Sequence, residues 1–141
     1  TTEELTKDLE VTGPIKLVLY ASSDAINTDW TGKLVDVFES GYAMNLCDGI
    51  LRASHRDSFT NPEPIVPGQV YRYEIDLGVT ANVFKKGHKI RLEISSSNFP
   101  KFDRNPNTGN KFGFDSELKI ATQKIYHDSN YQSHIILPII K

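Results

Sequence analysis

Apolar and polar residues alternate in three segments of this chain. Ile15–Ser22, Tyr71–Leu77 and Lys89–Ile94 each place an apolar or aromatic side chain at every second position. A period of two is typical of a β-strand with one face in a core. We therefore predict three amphipathic strands whose core positions include the following residues: Leu17, Leu19, Ile75, Leu92 and Ile94.

Less regular segments predict further strands, separated by turns rich in glycine, proline and asparagine. These strands are Lys33–Phe38, Tyr42–His55, Ile120–His127 and His134–Ile140, and the second is expected to be interrupted at Asp48–Gly49. An extended lead-in through Leu9 is expected to close at Gly13–Pro14. The only helical expectation is a short turn within Ala81–Lys86.

The composition agrees with a β protein. Val, Ile and Thr together supply 31 of 141 residues (8, 13 and 10), against only 6 Ala. These β-branched residues favour strands. About eight short strands with intervening turns predict an all-β fold, a β-sandwich of two antiparallel sheets of the jelly-roll or immunoglobulin-like kind.

Length and charge narrow the function classes. A chain of 141 residues suits one domain with one core, and residues 1–141 are treated as a single domain. The net charge of −2 creates no strong electrostatic attraction to nucleic acid or to an anionic membrane. No apolar run approaches the ~20 residues of a membrane-spanning helix.

A single cysteine, Cys47, excludes an intrachain disulfide. The start at Thr1, without methionine, suggests a piece of a longer protein, or else a processed chain.

The sequence offers no convincing catalytic residue. A Gly-x-Ser-x-Gly nucleophile elbow is absent, and Ser95–Ser97 is interpreted as the solvent-facing end of a strand. Cys47 and His55 lie eight positions apart on one predicted strand, which separates them by roughly 26 Å at about 3.3 Å per residue. We therefore predict an inert, buried thiol and no catalytic residue.

Metal and cofactor sites are also not expected. The four histidines show no ligand spacing. The segment Asp103–Phe114 begins like a calcium loop, but Thr108 stands where the loop needs glycine and Phe114 where it needs a bidentate glutamate. A turn-forming loop is the preferred interpretation.

The segment Asn98–Glu117 is the least strand-like part of the chain, and a loop this long in a compact domain is usually functional. It carries four phenylalanines without strand periodicity: Phe99, Phe102, Phe112 and Phe114. They could pack beneath the loop, contact a partner surface, or form a sugar-stacking platform. Trp30, just before a predicted strand, is expected to be buried at an edge of the sandwich.

Several motifs, in the same order along the chain, resemble one family. They are Asn27–Trp30, Leu34–Val37, Asn45–Ala53, Asn82–Arg91, Ile94–Asn105 and Ser133–Pro138. Together they are similar to the C-terminal domain of the cocaine esterase and X-Pro dipeptidyl-peptidase group of serine hydrolases, which includes α-amino-acid ester hydrolases. Asn27 is a mild departure, because relatives often have aspartate there.

The resemblance implies a non-catalytic jelly roll of the galactose-binding-domain-like kind. This domain would pack on the α/β-hydrolase domain of the same parent chain and help shape access to the active site there. The triad would lie in that missing domain, so this chain alone is not expected to be an enzyme. The interdomain-contact candidates are the four loop phenylalanines and Arg104, whose planar guanidinium suits a carboxylate or carbonyl. Substrate, compartment and oligomeric state, including a homo-oligomer, stay open. The alternative function is a free-standing carbohydrate- or ligand-binding module.

Overall fold

A computed structural model describes residues 1–111 and 113–140. In these ranges the chain forms seven β-strands and one 3-10 turn, Ala53–His55. The strands are β1 (Leu9–Ser23), β2 (Asp29–Val37), β3 (Ala43–Arg52), β4 (Tyr71–Phe84), β5 (Lys89–Ser95), β6 (Gln123–Tyr126) and β7 (His134–Ile136). Among the described residues, no helix has the length and apolar character needed to cross a membrane.

The strands form two antiparallel sheets. In the first sheet β1 is central, with β4 on one side and β6 and β7 successively on the other. In the second sheet β2 is central, between β3 and β5. The predicted two-sheet jelly-roll sandwich is confirmed, with seven described strands rather than about eight.

The core lies between the two sheets. Leu17, Leu19 and Ile75 are fully buried there, as predicted, whereas Leu92 and Ile94 are only partly buried and pack against the core from β5. Trp30 is also buried, with its ring centroid 5.8 Å from that of Tyr73. The expected burial of Trp30 is confirmed.

Three local predictions are wrong. The segment Ala81–Lys86 is not helical, because Ala81–Phe84 belongs to β4 and pairs with Leu9–Thr12 of β1. Strand β1 does not start after Gly13–Pro14 but runs through them, and a shift of register between Pro14 and Lys16 accommodates the proline.

Strand β3 is likewise not interrupted at Asp48–Gly49. Gly49 has a packing role instead, because a Cβ atom there would lie 1.9 Å from the carbonyl oxygen of Asp76 in β4. The missing side chain allows the edges of the two sheets to approach each other.

Candidate interaction surface

A long segment between β5 and β6, described over residues 96–111 and 113–122, lies against the outer face of the second sheet; we call it the cover loop. Gly32 of β2 faces the core, where a Cβ atom would meet Leu17 and Leu77. The alternate residues of β2 and their partners on β3 therefore point outward. The cover loop is fastened to this outward set through two carboxylates, Asp48 and Asp29.

Asp48 of β3 fastens the start of the cover loop. Its two carboxylate oxygens accept hydrogen bonds from Asn98 Nδ2 at 2.5 Å and Lys101 Nζ at 2.7 Å. Partial burial opposes ionisation of Asp48, but the bonds from Lys101 and Asn98 prevail and hold its pKa below the usual value. The charged form of Asp48 is thus part of the loop's structure.

Asp29 of β2 fastens the next part of the loop. Its side chain is buried and accepts two bonds from the Arg52 guanidinium, at 2.9 and 3.2 Å. Asn105 Nδ2 of the cover loop donates a third, at 2.8 Å. A buried carboxylate is tolerated only when it is paired and hydrogen-bonded in this way.

The second half of the cover loop is organised by Asp115. This carboxylate accepts hydrogen bonds from the hydroxyl of Thr108, from Asn110 Nδ2 at 3.0 Å and from the backbone N–H of Glu117 at 2.9 Å. The Thr108 bond is the main cause of a lowered pKa at Asp115. These polar side chains of the loop therefore form hydrogen bonds within the loop itself.

Several apolar side chains of the loop are exposed instead. Phe99, Phe114 and Leu118 are 62%, 79% and 64% exposed. Arg104 lies over the Phe99 ring, with Cζ 5.2 Å from the centroid, and Lys111 lies over the Phe114 ring at 4.5 Å. Exposed apolar groups on a well-fastened loop are typical of an interaction surface.

The five candidates from the sequence are thus placed differently. Phe99, Arg104 and Phe114 lie on the exposed side of the loop. Phe102 is half-buried and lines a cavity of about 220 Å³ together with Asp29, Ile50, Arg52 and Asp103. Phe112 lies outside the described residues.

A shallow cup opens on the exposed side of the cover loop. It has a volume of about 380 Å³ and is lined by the following residues: Phe99, Asp103, Arg104, Pro106, Gly113, Asp115 and Leu118. We call this set the loop cup. Its lining combines apolar side chains with three charged ones, and the Arg104 guanidinium lies beside the Phe99 ring.

The residues considered for catalysis are held in ordinary structural bonds. Ser95 Oγ donates to the Ser97 carbonyl at 3.1 Å. Cys47 is only partly buried, whereas the sequence predicts a buried thiol. Partial burial and the neighbouring Asp48 carboxylate both raise the pKa of this thiol, which disfavours a reactive thiolate. In the described part of the chain no three His, Cys, Asp or Glu residues converge as a metal site.

The anchoring carboxylates Asp29 and Asp48 were not among the candidates from the sequence. Both sit within otherwise β-forming segments, and the amides that they bind lie 76 and 50 residues away. An aspartate in a strand facing an asparagine-rich loop is a weak signal, and only the fold brings these groups together.

Comparisons with known proteins agree on one family. Residues 1–136 match the family model described as the X-Pro dipeptidyl-peptidase C-terminal non-catalytic domain. The chain is 48% identical over 142 aligned positions to cocaine esterase from Rhodococcus sp. (strain MB1 Bresler), covering 99% of this chain and 25% of that protein.

Solved structures give the same result. An α-amino acid ester hydrolase superposes with a TM-score of 0.93 at 32% identity. An aminopeptidase from a marine sediment Thaumarchaeota archaeon superposes with a TM-score of 0.90 at 31% identity. Each match covers 99% of this chain and 25% of the other, so the chain spans about a quarter of the length of the relatives that it matches.

Proposed function

This chain belongs to the family of X-Pro dipeptidyl-peptidase C-terminal non-catalytic domains, and from that membership we propose that it is one domain of a longer serine hydrolase and docks on the catalytic domain through its cover loop. The catalytic residues would then lie outside these 141 residues. The parent's reaction would be the hydrolysis of an ester or peptide bond, and the docked loop would help to shape access to its active site.

The exposed face of the cover loop carries this proposal. Two aromatic rings and a leucine stand out from a loop whose polar groups are turned inward to Asp48 and Asp115. Contacts between domains of one chain bury about 600–1,500 Å² in total. A loop with several exposed large apolar side chains can supply much of one side of such a contact.

A sugar-binding platform is the weaker interpretation of the same rings. Such platforms present open aromatic faces for stacking. Arg104 and Lys111 instead occupy one face each of Phe99 and Phe114. Cation-capped rings of this kind suit a protein contact better.

The test compares the longer protein with the 141-residue chain. Replacing Phe99 and Phe114 with serine removes two exposed rings, so the isolated chain should keep its melting temperature. In the longer protein the same double variant should lower the melting temperature by about 2–6 °C, because the domain contact is weakened. Differential scanning fluorimetry measures both values.

Phe59 provides the matched control, since it is 82% exposed but lies between β3 and β4, outside the cover loop. Phe59→Ser should leave both proteins unchanged. The isolated chain should also self-associate through its bare loop, and sedimentation velocity should show less association in the double variant. If the double variant lowers the melting temperature of both proteins equally, the two rings stabilise the sandwich itself and the docking proposal is wrong.

A further inference from the structure

We infer that the loop cup receives a carboxylate carried on the catalytic domain of the same polypeptide, paired with Arg104 and flanked by an apolar side chain that fills the cup. This inference rests on the proposed docking of the cover loop, and it specifies the chemistry of the partner surface.

Arg104 is the first observation. The chain has five arginines, and four of them have a carboxylate within 4 Å: Arg52, Arg56, Arg72 and Arg91. Among the residues described, Arg104 has no such ion pair. Its guanidinium lies over the Phe99 ring instead. A guanidinium that stacks on a ring still offers its planar fork of N–H donors for bidentate pairing with a carboxylate.

The shape of the cup is the second observation. Its volume of about 380 Å³ lies within the range of sites that hold a compact group, roughly 300–1,000 Å³. Phe99, Pro106 and Leu118 supply apolar walls next to the guanidinium. A concave site that combines apolar walls with charged groups can anchor a central residue of an interface.

The carboxylates that line the loop cup favour a partner carboxylate fixed on a protein surface over a freely diffusing anion. Asp103 and Asp115 line the same cup as Arg104, so its charge is not positive overall. Asp115 is already saturated by Thr108, Asn110 and the Glu117 backbone. A diffusing anion is therefore poorly attracted, whereas a carboxylate held by the rest of an interface is placed at the guanidinium alone.

The occupant is assigned to the catalytic domain because of chain length. The matched relatives are about four times as long as this chain, so most of their surface lies outside it. An intramolecular partner is present at high effective concentration, and a modest ion pair then suffices to orient it.

Chemical cross-linking tests the pairing. Arg104→Lys puts a primary amine at this position, and a carbodiimide joins an amine to a carboxylate only when the two are in contact. In the longer protein we expect a new amide link from position 104 to an Asp or Glu of the catalytic domain, found by mass spectrometry and absent from the wild type. A link confined to Asp103 or Asp115, or no link, would overturn the inference.

A charge-reversal variant of Arg104 provides a second test of the pairing. Arg104→Glu in the longer protein should raise amide hydrogen exchange in the cover loop about tenfold, because a desolvated pair is broken. Lys124→Glu, the same charge change at an exposed position of β6, should leave exchange in the loop unchanged. Equal exchange in the two variants would contradict the inference.

The two proposals fail differently. If the cover loop exchanges as fast in the longer wild-type protein as in the isolated chain, the docking itself is wrong. If the loop is protected there and Arg104→Glu does not change that protection, docking stands and the carboxylate pairing is wrong.

Discussion

The outer faces of the two sheets differ in how far other parts of the chain cover them. In β2, eight of nine residues are buried, and the cover loop is bonded to the outer face of this strand at Asp29. In the second half of β4 the outer face is bare, and Val79 is 74% exposed next to Ala81 and Val83. The cover loop thus binds polar anchors on β2 and β3 and also displays exposed apolar side chains of its own.

The largest loss of stability is expected when the buried carboxylate of Asp29 is removed. Asp29→Ala leaves the Arg52 and Asn105 side chains without their shared carboxylate. We expect the free energy of unfolding to fall by about 3–5 kcal/mol, as for other broken buried pairs. Urea titration of the isolated chain measures it.

Asp103→Ala, at an exposed position of the same loop, is the control and should cost within about 0.5 kcal/mol. A loss below about 1 kcal/mol for Asp29→Ala would show that the loop does not depend on its anchor.

A smaller, pH-dependent effect is expected at Asp48. Because its folded-state pKa is lowered, the carboxylate contributes stability at pH values above its unfolded-state pKa of about 3.9, and that contribution is lost as the pH falls through the lower folded-state pKa. Asp48→Asn should cost about 1–2 kcal/mol at pH 7, since it removes a charge-assisted bond to Lys101.

The difference between Asp48→Asn and the wild type should shrink as the pH is lowered below about 4, because the carboxylate becomes protonated there in the unfolded state and only at a lower pH in the folded state. Urea titrations at pH 7 and pH 3 provide the comparison. A constant difference across this range would mean that the ion pair with Lys101 contributes nothing.

The smallest effect is expected on the bare face of β4. Val79→Thr keeps the β-branched shape at an exposed position, so the unfolding free energy should change by less than about 0.5 kcal/mol. The melting temperature of the longer protein should also stay constant. A drop there comparable to that of the Phe99 and Phe114 double variant would show that this face is a domain contact too, and the contrast between the two faces would disappear.

Much of the fold could be predicted because its strands repeat with a period of two. The alternation in β1 and β4 correctly placed Leu17, Leu19 and Ile75 in the core. The prediction failed in the second half of β4, where alternation breaks at Gly78 and apolar residues occupy both faces. A short apolar segment of that kind does not distinguish strand from helix.

The interaction surface could be predicted only in part. Phenylalanines without strand periodicity mark the cover loop as unusual, and that signal is local in the sequence. The part of the loop that carries Phe99 and Phe102 is held by Asp48 and Asp29, which come from distant strands. Long-range pairing of this kind leaves no periodic trace in a single sequence.

The position of β1 has a consequence for biosynthesis. This strand, near the start of the chain, pairs with β7, and Val11 also bridges to Ile139, a separation of 128 residues (139 − 11). One edge of β1 therefore stays unpaired on the ribosome until residues 123–139 have left the exit tunnel. At about 5–20 residues per second, synthesis of the 116 residues from Ser23 to Ile139 (139 − 23) takes about 6–23 s, a period in which a nascent chain is open to mispairing and to chaperones.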